Sequence, residues 1–156
     1  MTRLRPILLQ VGVGLGILIL ACISIAIFPL SEQFAASNPQ VAYMRGPVLA
    51  LVIPCLICAW GVLILGFVLL ERIRRNQVFV PQTVADLRRI GWLCFAAILP
   101  LTCLAIYTEK NVASSITNLY VYGLIAICFM LGNLFMLLGA LFASAVSYKA
   151  EVDLTV

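Results

Sequence analysis

All sixteen charged residues of this chain lie outside four long apolar stretches, at about 7–28, 48–70, 90–107 and 119–147. Each stretch is close to the roughly 17–25 residues that cross a hydrocarbon core about 30 Å thick. Lipid offers no hydrogen-bond partners, so a spanning backbone must satisfy its own N–H and C=O groups, and these stretches are expected to be helices. The remaining residues are too few for a separate extramembrane domain. With 64% hydrophobic and 10% charged residues, the chain also lacks the polar surface of a soluble domain, which averages about 25% charged. The reading is one integral membrane domain over 1–156, an all-α antiparallel four-transmembrane-helix bundle, since short connections favour antiparallel neighbours.

The charge distribution orients it. With the N-terminus inside, the inner side carries Arg3, Arg5, Arg72, Arg74, Arg75, Arg88, Arg89 and Lys149, and the outer side only Arg45 and Lys110. That is the positive-inside bias, and four spans bring both termini to the cytoplasmic side. The first apolar run exceeds the about 7–15 residues of a signal-peptide core and no clean A-x-A site follows it, so its retention is expected. Tyr43, Tyr107, Tyr120 and Tyr122 at one boundary, with Trp92 and Tyr148 at the other, fit the two aromatic belts.

Several local readings follow. Phe28-Pro29 is expected to close the first helix, Asn38-Pro39 to mark a turn, and Thr117 or Asn118 to cap the fourth helix. Pro54 and Pro100 are expected to kink spans two and three. Gly12 and Gly16 form a G-x-x-x-G, and Gly132, Gly139, Ala140 and Ser144 a small-residue stripe. Such residues let helices approach closely in lipid, either within the bundle or, through Gly12 and Gly16, in a homo-oligomer. Asn133, near the middle of span four, is expected to form an interhelical hydrogen bond.

The cytoplasmic elbow, 71–89, is the most structured polar segment. Val78-Phe79-Val80-Pro81 reads as extended. Thr83-x-x-Asp86 resembles a capping box with Asp in place of Glu or Gln, and Asp86 suits the positive end of a helix dipole. Val84, Leu87 and Ile90 share one face of an amphipathic helix from about Val84 into span three. Arg72, Arg74, Arg75, Arg88 and Arg89 are topology determinants that can also dock on anionic headgroups, each contributing on the order of 1 kcal/mol near an anionic surface. They are too few and too interleaved with apolar residues to read nucleic acid directly. The tail, 148–156, alternates polar and apolar residues from Glu151 onward, a strand period that would let it pair with 78–80.

Phe79, Val84, Leu87, Arg88, Ile90 and Gly91 in the elbow, with Glu151, Asp153, Leu154, Thr155 and Val156 in the tail, carry a family likeness. The chain resembles a family of small, uncharacterised four-span bacterial membrane proteins, a domain of unknown function. Pro81 departs from the polar or acidic residue expected there. The resemblance implies a place in the bacterial inner membrane and genes lying beside small helix-turn-helix regulators of the Xre/Cro type. It implies no catalytic residues.

Chemistry is sparse. The chain has no histidine, which removes Ser-His and Cys-His catalysis and the commonest metal ligand. No charge lies within a span, which argues against an ion-coupled carrier. Six cysteines all fall within spans, and Cys55-x-x-Cys58 follows Pro54. A thiol-disulfide redox protein using Cys55 and Cys58 is one alternative, but the pair lies about 10 Å below the boundary at 1.5 Å per residue, and neither outer loop holds a second pair. A small channel or transporter subunit is the other. The reading adopted is a non-enzymatic regulatory or interaction component with no cofactor and no metal, acting through its basic elbow and tail.

Overall fold

A computed structural model describes residues 4–75, 80–112 and 116–154. It contains four long helices, α1 (Leu4–Ser37), α2 (Arg45–Arg74), α3 (Pro81–Asn111) and α4 (Ile116–Leu154), with a 3-10 turn at Pro39–Met44 between the first two. All four are long and apolar enough to cross a membrane. They have 34, 30, 31 and 39 residues, or about 45–58 Å at 1.5 Å per residue. Each therefore overshoots the hydrocarbon and carries helical extensions into the headgroup region.

The helices form an antiparallel bundle packed in chain order: α1 on α2, α2 on α3, α3 on α4. Among the described residues no Cα of α1 comes within 8 Å of α3 or α4, and none of α2 within 8 Å of α4. Helix α3 is accordingly the most buried element. Thr83, Leu87, Ile90, Cys94, Ala97, Leu101 and Ala105 form its inward stripe, spaced by three and four residues as a helix face requires. Leu101, Ala105 and Val121 make a small core with Cys55, Leu104, Ile125 and Cys128 around it. Helices α1 and α2 present mostly lipid-facing apolar side chains, with Leu18, Ile25 and Ile57 among the most exposed. A polar contact joins them in mid-span, where Trp60 Nε1 donates to Ser24 Oγ at 3.2 Å.

Four local expectations are corrected. Pro29 does not end α1, which continues to Ser37; proline removes one N–H donor and kinks a helix more often than it ends one, and the residues beyond it still close their own turns. Helix α3 starts at Pro81 rather than near Val84, with extended Val80 at its N-cap; proline's fixed φ suits the first helical position. Asn118 and Thr117 lie inside α4 rather than at its cap. The tail is helical through Leu154. Adding a residue to an existing helix gains a hydrogen bond at little cost, whereas a lone strand must find a partner. Thr155, Val156 and residues 76–79, including Phe79 and Val78, lie outside the described residues.

Candidate interaction site at the α2–α3 elbow

The elbow is built from the last turn of α2 and the first three turns of α3. Arg72 Nη1 lies 2.9 Å from Asp86 Oδ2, an ion pair by distance in which Nη1 makes no hydrogen bond, and Arg89 Nη1 lies 3.5 Å from Asp86 Oδ1. The Asp86 side chain is 7% exposed and that of Arg72 26%. A carboxylate so buried needs a paired charge, and the guanidinium from the neighbouring helix supplies it. Asp86 thus ties α2 to α3 instead of capping α3. The capping box is not formed: α3 has no side-chain cap bond, Thr83 N–H donates to Val80 O at 2.9 Å, and Thr83 Oγ1 is buried without a partner. Three residues into the helix, Thr83 is turned toward the packed face.

Glu71 organises the other side. Its Oε1 accepts from Arg74 Nη2 at 2.9 Å and Arg75 Nε at 3.0 Å, and its Oε2 accepts from Gln10 Nε2 of α1 at 3.4 Å. Gln10 reads from sequence as a polar group internal to the first span; its partner Glu71 was not legible there. Arg88 points outward. Its Cγ stands 3.3 Å from where a Cβ on Gly139 would be, so its stem crosses α4 at the glycine while its charged head stays outside, as long basic chains do at interfaces. Within the elbow, 71–89, five arginines against two carboxylates leave a surplus of three positive charges. Arg74, Arg75, Arg88 and Arg89 are all exposed, and exposed Lys149 and Glu151 of α4 lie at the same end of the bundle.

Small residues set the α3–α4 approach. A Cβ at Gly91 would lie 2.9 Å from Met136 Cγ and 3.2 Å from the Gly132 carbonyl oxygen; one at Gly132 would lie 3.1 Å from the Phe95 ring. Gly139 and Gly132 thus pack against α3, whereas Ala140 and Ser144 are exposed. Gly16 faces Leu63 at 3.6 Å, and a Cβ at Gly12 would meet nothing within 4 Å. Asn133 does not bridge helices within the chain: it is exposed, and its Nδ2 donates to Phe129 O of the preceding turn at 2.8 Å. It stands one residue past Gly132, rotated about 100° off the packed face.

All six cysteines are free. Cys55 and Cys128 pack against the same core cluster, Cys94 is buried, and Cys55 Sγ is 3.4 Å from the Leu51 carbonyl oxygen. Among the described residues no three His, Cys, Asp or Glu side chains are grouped to hold a metal. At the end opposite the elbow, Arg45 pairs with Glu32 at 2.9 Å. Tyr43 OH donates to Asn111 Oδ1 at 3.1 Å and Tyr122 OH to Glu109 Oε2 at 3.0 Å, so that end is closed by local polar contacts.

No curated protein and no solved structure matches the chain. A family model does match, over residues 29–156, and so takes in the end of α1, the 3-10 turn, the elbow and all of α2, α3 and α4. By that match the chain belongs to the family described as "Protein of unknown function (DUF2975)".

Proposed function

We propose that this chain is a non-enzymatic interaction component of the bacterial cytoplasmic membrane, with both termini cytoplasmic, and that its elbow is its working surface. The observation that carries this reading is the division of labour among the elbow charges. Arg72 turns inward to Asp86 and links α2 to α3, while Arg74 and Arg75, paired with Glu71, and Arg89, near Asp86, keep exposed side chains, as does Arg88. A fixed basic surface at headgroup level is suited to anionic lipid and to an acidic protein surface beside it. The excess of inner over outer basic residues supports the orientation. A small helix-turn-helix regulator is the proposed protein partner, held at the membrane by contact with the elbow rather than through nucleic acid.

The test is lipid retention. The chain is purified from nanodiscs of mixed zwitterionic and anionic lipid, and co-retained lipid is measured by native mass spectrometry. Wild type is expected to retain anionic lipid preferentially. Arg74→Gln, Arg75→Gln, Arg88→Gln and Arg89→Gln combined, with Arg72 kept for the fold, should remove that preference; each lost charge is worth on the order of 1 kcal/mol. Unchanged retention would count against the elbow as the contact surface. A membrane-impermeant maleimide should leave Cys55 and Cys58 unlabelled in intact vesicles, since thiols inside the span are inert. Rapid labelling would favour the redox alternative.

A further inference from the structure

The outward face of α4 carries a seam that the fold leaves uncovered. Ala126, Met130, Asn133, Leu137, Ala140 and Ser144 follow one another at alternating steps of four and three residues, and all are exposed. This is the spacing of the contact positions of a left-handed helix pair. The stripe that packs on α3 is a different one, running through Val121, Cys128, Gly132 and Gly139. At the centre of the seam is Asn133, midway along the apolar segment Ile116–Lys149. One N–H of its amide bonds to Phe129 O. Among the described residues its other N–H and its Oδ1 have no partner, and hydrocarbon offers none. Around it Phe129, Met130, Leu131, Leu134 and Leu137 border an open hollow of about 510 Å³.

We infer that this seam is the interface of a parallel homodimer, α4 against α4 about a two-fold axis along the membrane normal. The occupant follows from depth. Every copy enters the membrane in one orientation, so a two-fold axis normal to the bilayer places each Asn133 beside the other. Two facing amides can then exchange N–H···O bonds. A lipid tail cannot do this, and an unrelated helix would need its own polar group at that depth. Ala126 and Ala140, seven residues to either side, let the backbones approach. A central asparagine in such a repeat fixes register and partner number. The inference moves self-association from Gly12 and Gly16 to α4, and it stands independently of the elbow reading.

The experiment measures dimerisation of the labelled full chain in vesicles across a range of protein-to-lipid ratios, by energy transfer. Wild type is expected to dimerise. Asn133→Leu should weaken dimerisation by about threefold to tenfold. Ala140→Phe should weaken it more, because the bulk blocks approach. Gly12→Leu should leave it unchanged. To separate lost contact from lost fold, Ala140→Cys in a background lacking the native cysteines should crosslink to its copy on oxidation. Leu124→Cys, exposed on another face of α4 and bordering α2 and α3 instead of the hollow, should not. Wild type that stays monomeric at every ratio overturns the inference. So does an Ala140→Phe chain that dimerises normally, sensitivity confined to Gly12→Leu, or crosslinking at Leu124→Cys in preference to Ala140→Cys.

Discussion

Asp86→Ala is expected to destabilise the fold by about 2–4 kcal/mol, mostly by loosening the start of α3 from the end of α2. Removing one partner of a buried ion pair typically costs about 3–5 kcal/mol, because the other charge is left uncompensated. Here the orphan is Arg72, whose side chain is 26% exposed, so part of its charge is solvated and the cost falls toward the lower end. Arg89 does not replace the lost link: it lies on the same helix as Asp86, at 3.5 Å, and is 70% exposed. Arg72→Met with Asp86→Leu should be less damaging than Asp86→Leu alone, since an apolar pair leaves no buried charge. Reversible unfolding in mixed micelles, run as a double-mutant cycle, measures this directly. A coupling below about 0.5 kcal/mol would mean that the two side chains merely lie near each other, the range of an exposed pair. Amides of Thr83 to Leu87 should lose hydrogen-exchange protection first in Asp86→Ala.

The same pair shows where sequence reasoning reaches and where it stops. Four helices, their order and their number were legible because the hydrocarbon imposes one rule on every backbone group, and a run of apolar residues declares compliance with it. The inward stripe of α3 was partly legible too: of Val84, Leu87 and Ile90, placed on one face, Leu87 and Ile90 are 3% and 1% exposed, while Val84 is only half-buried. Element ends were not. Thr83 and Asp86 have the spacing of a capping box, yet Pro81 starts the helix two residues before Thr83. Thr83 is therefore the third helical residue instead of the N-cap, and its side chain joins the inward stripe, with Asp86 three residues on lying on nearly the same face. The tail failed for a related reason: its alternation is compatible with a strand, but α4 was already formed and simply extended.

At the candidate site the arginines were visible as a cluster, but their division was not. Nothing in the order Glu71, Arg72, Arg74, Arg75 says that Arg72 turns inward to Asp86 while Arg74 and Arg75 stay with Glu71. That depends on the angle at which α2 delivers its last turn, which is set by packing between helices. Asn133 is the converse case. Its depth was legible and its partner was not, because adjacent Gly132 takes the α3-facing position and rotates the amide outward.

Gly91→Ala should cost more than alanine at any other packed glycine, about 1–3 kcal/mol, the range for overpacking. The added Cβ would stand 2.9 Å from Met136 Cγ and 3.2 Å from the Gly132 carbonyl oxygen. A methionine side chain can rearrange, but a carbonyl oxygen within a helix cannot, so α4 itself must move away from α3. Gly61 tests the argument at equal distance. Its Cβ would also meet an atom at 2.9 Å, but that atom is the Cδ1 tip of Leu93, which a rotamer change removes. Gly61→Ala should therefore stay within about 1 kcal/mol of wild type, with the better helix propensity of alanine offsetting the contact. Gly12→Ala, with nothing within 4 Å, should be neutral or slightly stabilising. Thermal unfolding in one detergent ranks the three. Equal losses at Gly61 and Gly91 would show that side-chain crowding, rather than backbone approach, sets the α3–α4 distance; the elbow would then rest on a softer base than a helix pair locked through Gly91 and Gly132.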